Sequence, residues 1–375
     1  MRRAHLSRAT FLHTADFHLS RPFGFLPPAI AEERRRDQRK TLARIADLAV
    51  ERDVDYVLIA GDLFDRTRPD PSDIEAVTSA FIKLHENGKQ VFVIPGNHDY
   101  YSASSIWSRL HVDGVHIFVG PEYTFETLEE TGISIGGIAF NPKDSKRRAF
   151  ENMEVAPDFF TILLTHASYE VFQGQIEEYH PFSAAELEHV PAVYVALGHY
   201  HRFNTIDSGK VKACYPGSPE GLGFDQAETG ERYVVIGKVA DDGQVEIEPV
   251  QINTRLVYSS EIDCTSFESV DTLHERLRNI CKQNAIVNVR LTGTPGREIL
   301  HAIDEIAERF KESCYYLSVD TSGLVSPIEQ FSEDRTMLGM FRKYMIDQIT
   351  KAEDPERQRL LRRALDLGLA AFEKE

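Results

Sequence analysis

No apolar run in the chain approaches the length needed to span a bilayer. The N-terminal MRRAHLSR is basic, but it leads into the polar-interrupted ATFLHTADFH, so neither a secretory signal nor an anchor is expected and a cytoplasmic location is. Cysteine is scarce. Cys214, Cys264, Cys281 and Cys314 lie far apart without a CxxC pair, which fits reduced, mostly buried thiols better than a disulfide framework or a cysteine zinc site. Positive charge is in deficit, 42 basic against 59 acidic residues giving a formal charge of -17, which excludes a surface coated for nucleic acid. DNA contact therefore has to come from local clusters, bound cations or a partner subunit. Two basic clusters exist, around residues 34–40 and 143–148. Charge runs are usually solvated faces, and Arg34, Arg35, Arg36, Lys146, Arg147 and Arg148 are the candidates for phosphate contact.

What is present is ordinary globular usage, 42% hydrophobic and 27% charged over 375 residues, enough for two or three domains. The apolar runs in ATFLHTADFH, VDYVLIAGDLFD, VFVIPGNHDYY, FFTILLTHAS and VYVALGHYHRF each read as a buried strand ending in a polar turn. Between the first three lie helical faces of Leu42, Ile45, Ala46 and Ala49, and of Ile74, Val77, Phe81 and Leu84, the second capped by Pro71-Ser72-Asp73 and stopped at Asn87-Gly88. That alternation predicts an α/β layered fold, in which ligands gather beyond the carboxyl ends of the strands. Those ends supply Asp16, His18, Asp62, Asp65, Asn97, His98, His166, His199 and His201. Turn propensity favours Gly, Pro and Asn, not repeated histidine.

In order, ADFH at 15–18, GDLFD at 61–65, GNHD at 96–99, THAS at 165–168 and GHYH at 198–201 resemble the calcineurin-like metallophosphoesterase signature: DxH, GDxxD, GNH(D/E), a later histidine and GHxH. The resemblance implies a layered α/β sandwich holding two divalent ions, Mn²⁺ foremost with Fe or Zn²⁺ as alternatives. It implies that Asp16, His18, Asp62 and His201 hold one ion, and that Asp62 bridges to a second held by Asn97, His166 and His199. His98 would then be the acid that protonates the leaving oxygen. Asp65 would orient that histidine, its plain alternative being a helix or turn cap. A mixed nitrogen and oxygen donor set suits these metals, and phosphodiester cleavage needs both a strong nucleophile and neutralised phosphoryl charge.

The signature alone covers phosphatases, small-molecule phosphodiesterases and nucleases. Beyond residue 250, strand-like LVYSSEIDC, VNVRL and YYLSV alternate with helical faces of Leu273, Leu277 and Ile280, and of Ile299, Ile303, Ile306 and Phe310. This β-α-β-α-β pattern, with YPGSPEGLGFDQAETGE after GHYH, resembles SbcD-type DNA repair nucleases and their YhaO-like relatives. The resemblance implies a DNA exonuclease or endonuclease with a 3′ to 5′ exonuclease preference and an SMC-like, SbcC-type ATPase partner. It also implies a homodimer paired through residues 73–86 and 102–110, with Phe81, Leu84, Trp107 and Leu110 as contacts. Ser20, where that family often has glycine, and Asp65, where some members have histidine, are departures. Met337, Phe341, Met345 and Ile349 form a face that either docks the ATPase or packs on its own domain, and ERQRLLRRALDLGLAAF forms another helix. The expected domains are an N-terminal extension at 1–8, a phosphoesterase domain at 9–248, a cap at 249–325 and a helical segment at 326–375. The rival functions are a small-molecule phosphodiesterase or phosphoprotein phosphatase, and a catalytically silent scaffold.

Overall fold

A computed structural model describes residues 8–143, 146–170, 179–267, 269–325, 336–352 and 354–372. The chain divides into compact units at 1–257 and 258–375. In the first, β1 (Ala9–Thr14), α1 (Pro28–Glu51), β2 (Tyr56–Ala60), α2 (Pro71–Glu86) and β3 (Gln90–Ile94) alternate as the periodicity predicts, and β4 (Val115–Ile117) follows. These strands run parallel in one six-stranded sheet, closed on its other side by the antiparallel hairpin β11 (Tyr233–Val239) and β12 (Val245–Gln251).

A second six-stranded sheet contains β5 (Thr124–Leu128), β6 (Ile133–Gly137), β7 (Phe160–His166), β8 (Tyr194–Gly198), β9 (Asn204–Ser208) and β10 (Val211–Tyr215), with α3 (Ala184–Glu188) before β8. Its central strands β6, β7 and β8 are parallel. Side chains alternate across each strand, so each sheet has two apolar faces to cover. Phe11, Leu58 and Phe92 of one sheet meet Ile135, Ile162 and Tyr194 of the other. Leu12, Val57 and Ile59 on the outer face pack against Leu42, Ile45, Val77 and Phe81 of α1 and α2. The outer face of the second sheet is covered around Leu187 of α3. The fold is therefore the layered α/β arrangement expected.

Two corrections follow from this packing. Phe81, Leu84, Trp107 and Leu110, expected as dimer contacts, are buried in the core of the first unit and have no surface to offer a second copy. The boundary expected between 248 and 249 falls inside β12, which pairs with β11 along its whole length, and the division between units lies after Val257. Residues 1–7 and 326–335, within the expected N-terminal extension and C-terminal segment, lie outside the described residues.

The second unit contains all of β13 (Val257–Asp263) but its first residue, then α4 (Val270–Ile280), β14 (Ile286–Gly293), α5 (Arg297–Phe310) and β15 (Tyr316–Leu324), with sheet order β13-β14-β15. Leu273, Leu277, Ile299, Ile303 and Phe310 are buried, as their spacing predicts. A helical pair follows, α6 (Met337–Lys351) and α7 (Pro355–Phe372). Met345 and Ile349, with Phe341 beside them, pack against Leu365 and Leu369, so most of the predicted face is used internally. Met337, Met340 and Tyr344 of α6 and Leu360 and Leu367 of α7 are exposed instead. The four cysteines are free and buried.

Candidate functional site

Both sheets end their parallel strands at one edge, and the turns there are locked to one another. Past β1 and β2 the backbone continues to pair: Asp16 N–H donates to Gly61 O (3.1 Å), His18 N–H to Asp62 O (3.0 Å) and Asp65 N–H to Leu19 O (2.8 Å). This sets Asp16 and His18 opposite Asp62. Asp16, His18, Ser20, Asp62 and His199 all have positive φ, between 49° and 111°. Such backbone costs about 1–3 kcal/mol per residue and persists only where its surroundings over-determine it. At Ser20 the hydroxyl donates to Asp73 (2.6 Å) and accepts from Asp70 N–H (2.9 Å), tying the first turn to the start of α2.

The GNHD turn is fixed by Asp99. Its buried carboxylate accepts Gly96 N–H (2.7 Å) and Phe64 N–H (3.1 Å), while Trp107 Nε1 donates to Asp99 O (2.6 Å). Burial, then the charge of Asp62, push the Asp99 carboxyl up to about 8 against these two hydrogen bonds. Gly96 does not have positive φ. Glycine is needed there because a Cβ would overlap the Asp62 carboxylate. Gly198 is needed for the same kind of reason, a Cβ there running into Ala60 O.

Three histidines share one arrangement. His18 Nδ1 donates to Asp65 (3.0 Å), His166 Nδ1 to Ala60 O (3.0 Å), and His201 Nδ1 to Glu228 in a short contact. A carbonyl or carboxylate oxygen only accepts, so each Nδ1 carries the proton and each Nε2 is turned inward. There, Nε2 of His18 and His201 are 3.1 Å apart, His18 Nε2 is 3.6 Å from Asp62 Oδ2, and His166 Nε2 is 3.3 Å from Asp62 Oδ2 and 2.9 Å from Asn97 Oδ1. Asp16 completes the cluster, accepting His199 N–H at 3.0 Å with His166 Nδ1 3.9 Å away.

Burial raises the Asp16 pKa, with the charges of His166 and His201 opposing. At Asp62 burial also disfavours ionisation, but the charge and hydrogen bond of His166 outweigh it and hold the carboxyl well below its usual range. Burial lowers His18, opposed chiefly by its bond to Asp65. His166 is raised to about 9, Asp62 outweighing the effect of burial. Among the described residues no lysine or arginine pairs with Asp16 or Asp62.

The residues expected at the site are thus gathered into overlapping groups: Asp16, His18 and His201; His18, Asp62 and His98; Asp16, Asp62 and His166. Asn97 joins through His166, and the His199 ring lies edge-on to it, centroids 5.3 Å apart. His98 is the exposed imidazole, 42% accessible, its ring 4.6 Å from that of His18 and its N–H on Asp62 (2.9 Å). Asp65, expected to orient His98, is 3.9 Å from it and hydrogen-bonded to His18 instead, with Arg21 at 3.3 Å.

The basic clusters do not behave as expected. Arg34 is 1% exposed and bonded to Glu220 (2.9 Å), Asp37 (3.2 Å) and Gly221 O (3.0 Å). Arg35 pairs with Glu32, and the exposed Arg36 with Glu33 (3.4 Å). Arg147 is held by Glu122, and Arg148 by Glu170 and Glu186, while Lys146 is exposed. A net acidic protein surrounds its arginines with carboxylates, and most of these cations are already engaged.

Sequence reasoning did not single out Glu228 and Gln38. Glu228 receives His201 Nδ1, Leu222 N–H (3.0 Å), Ser218 Oγ (3.3 Å) and Arg232 (3.4 Å); Gln38 donates to Phe17 O (2.7 Å) and His18 O (3.2 Å). Helical spacing could have flagged Gln38 and Arg34, since 34, 38, 41, 45 and 49 fall on one stripe that also carries the core residues of α1.

Residues 9–203 match the calcineurin-like phosphoesterase family. Over 327 residues the chain is 27% identical to an uncharacterized metallophosphoesterase, YhaO, of Bacillus subtilis strain 168, covering 82% of this chain and 78% of that protein. It is 27% identical over 262 residues to the SbcD component of the SbcCD nuclease of the same organism, covering 60% of this chain and 65% of that protein. It is 25% identical over 345 residues to the DNA double-strand break repair protein Mre11 of Archaeoglobus fulgidus, covering 85% and 75%.

Proposed function

The chain belongs to the calcineurin-like phosphoesterase family, and from that premise we propose that it is a metal-dependent phosphodiesterase acting on DNA ends, a repair nuclease with a 3′ to 5′ preference. The observation that carries the metal chemistry is the common orientation of His18, His166 and His201, each Nδ1 tied to an acceptor and each Nε2 facing buried Asp16 or Asp62. Asp16 and Asp62 are buried carboxylates that no lysine or arginine among the described residues pairs with, which leaves room for a metal's charge, and this mixed set of carboxylate, imidazole and amide fits Mn²⁺, Fe or Zn²⁺. Asp16, His18, Asp62 and His201 would hold one ion, and Asp62, Asn97, His166 and His199 the other. Two such ions supply an activated water at neutral pH and neutralise phosphoryl charge.

The chain's own residues do the rest. Asp65 and Glu228 position His18 and His201. His98 stands at the solvent side of the cluster, where a leaving oxygen departs, and its backbone is fixed on Asp62. It is the acid for that oxygen, worth about 10²–10⁴-fold in rate. The nuclease reading rests on likeness that runs beyond the phosphoesterase core through 345 residues of a double-strand break repair protein. An SMC-like ATPase partner is supported by the apolar side chains that α6 and α7 leave exposed, and by the ion-paired basic clusters, which leave duplex grip to another subunit. The same pairing favours, as second reading, a phosphodiesterase for small substrates.

The test compares Mn²⁺-dependent degradation of end-labelled linear DNA with hydrolysis of cyclic nucleotides and phosphopeptides. DNA degradation that starts at 3′ ends, lost in His98→Ala with metal retained and in Asp62→Ala with metal lost, is the expected result. Turnover of cyclic nucleotides or phosphopeptides with intact DNA would overturn the nuclease reading.

A further inference from the structure

Two loops leave the site carrying aromatic rings. The first, 19–27, folds straight back on itself, with Arg21 N–H on His18 O (3.2 Å) and Leu26 N–H on Phe23 O (2.9 Å). Phe23 is buried, but Phe25 is 48% exposed. The second loop follows β10. Ser218 N–H donates to His201 O (3.1 Å) and Leu222 N–H to Glu228, the carboxylate that holds His201. Phe224 comes two residues after Leu222, a reach of at most about 7 Å. It meets Phe25 edge to face, ring centroids 5.2 Å apart. The pair therefore sits on two loops that both tie back to the histidine cluster, through His18 O and through Glu228.

Both loops are braced from behind by α1. Arg34 lies 5.8 Å over the Phe23 ring and bonds Glu220 and Gly221 O; Arg35 donates to Pro22 O (3.2 Å); Gln38 holds Phe17 O and His18 O. A buried ion network of this kind is costly to desolvate, and what it fixes here is the position of these two loops. Arg21, a third exposed and paired with Asp65 (3.3 Å), sits on the same loop, and half-exposed Arg66, paired with Asp70 (3.2 Å), donates to Ser20 O (2.8 Å). An isolated exposed phenylalanine is ordinary. A braced aromatic pair on two loops tied to a phosphoester site offers what single-stranded nucleic acid uses, a flat face for a base.

We propose that Phe25, backed by Phe224, stacks on the unpaired nucleobase next to the scissile phosphodiester, making the site selective for a frayed or single-stranded end. This rests on the nuclease reading above. The experiment compares wild type, Phe25→Ala and Phe25→Trp, each loaded with Mn²⁺, on a single-stranded oligonucleotide and on the same strand with an abasic terminal nucleotide. Stacking contributes about 1–3 kcal/mol per base, so wild type and Phe25→Trp should prefer the intact strand by about 5- to 150-fold in kcat/KM. Phe25→Ala should lose that preference while cleaving the abasic strand as wild type does. Equal losses on both strands would assign Phe25 a structural role, and undiminished preference in Phe25→Ala would remove stacking; either overturns the proposal. If wild type cleaves neither strand but hydrolyses small diesters, the nuclease reading fails and takes this inference with it.

Discussion

Glu228→Gln is the most informative single change, because it removes one charge with almost no change of shape. Glu228 is 8% exposed, and its two oxygens receive four donors: His201 Nδ1, Leu222 N–H, Ser218 Oγ and Arg232. Burial opposes ionisation, but the hydrogen bond and charge of His201, followed by the charge of Arg232, hold the carboxyl down at about 2. A carboxylate accepts on both oxygens, whereas an amide accepts on one and presents N–H on the other. If the amide oxygen stays with His201, its NH₂ faces Leu222 N–H and Arg232, donor against donor. Leaving such buried groups unmatched costs about 1–3 kcal/mol. His201 meanwhile loses the charge that keeps Nδ1 protonated and Nε2 aimed inward, and carboxylates in this position are worth about 10- to 100-fold in metal affinity. Calorimetric Mn²⁺ titration should show that loss, and urea unfolding in chelator the loss of stability. In a His201→Ala background the affinity change should vanish while the stability change remains, since the two effects act through different partners. Wild-type Mn²⁺ affinity in Glu228→Gln, or an undiminished effect without His201, would refute the positioning role.

Gly96→Ala places a methyl group into the Asp62 carboxylate; overpacking of this kind costs about 1–3 kcal/mol, and Mn²⁺ binding should fail with it, so normal titration would contradict the geometry. Arg34→Met removes the guanidinium that pairs with buried Glu220, while Asp37 keeps Arg255 at 2.6 Å, and should destabilise by about 3–5 kcal/mol in urea, whereas Arg36→Ala should stay within about 0.5 kcal/mol. Similar values for the two would show that Arg34 is not a buried anchor. His13 is fully buried, and desolvation lowers its pKa from 6.5 to about 3, with a weaker opposing hydrogen bond at Leu197. Between those values the unfolded chain binds a proton that the folded protein does not, so stability falls as pH falls through this window, by up to about 1.4 kcal/mol per pH unit from this group. His13→Leu should flatten the stability profile between these limits by that amount, and an unchanged slope would place the acid sensitivity elsewhere.

Much of the fold was legible because its signal is local. The runs ending in Thr14, Ala60, Ile94, His166 and Gly198 are continuous apolar segments of strand length, and the helical faces at 42–49 and 74–84 repeat at helical spacing. Their alternation leaves few topologies. The strands β4, β5, β6, β9 and β10 were not read out, being short or flanked by polar sequence, so the chain does not announce that its parallel strands are shared between two sheets.

The site divides in the same way. Asp16, His18, Asp62, Asn97, His98, His166, His199 and His201 could be named from sequence because the turn after a buried strand is fixed in place by that strand. Identifying the partners of those residues needed the tertiary structure. Glu228 lies 27 residues beyond His201, Gln38 is 20 residues from His18, and Arg34 meets Glu220 across 186 residues. Charge patterning treats Arg34, Arg35 and Arg36 alike, yet α1 turns Arg34 into the protein and Arg36 out to solvent. Phe81 and Trp107 look equally suited to a core or an interface until the packing closes over them. The sequence alone determined which residue types arrive at the strand ends, because hydrophobic periodicity is written in neighbouring positions. Only the tertiary structure decided which acceptor holds each imidazole and which arginines are already neutralised, because those depend on distances between segments far apart in the chain.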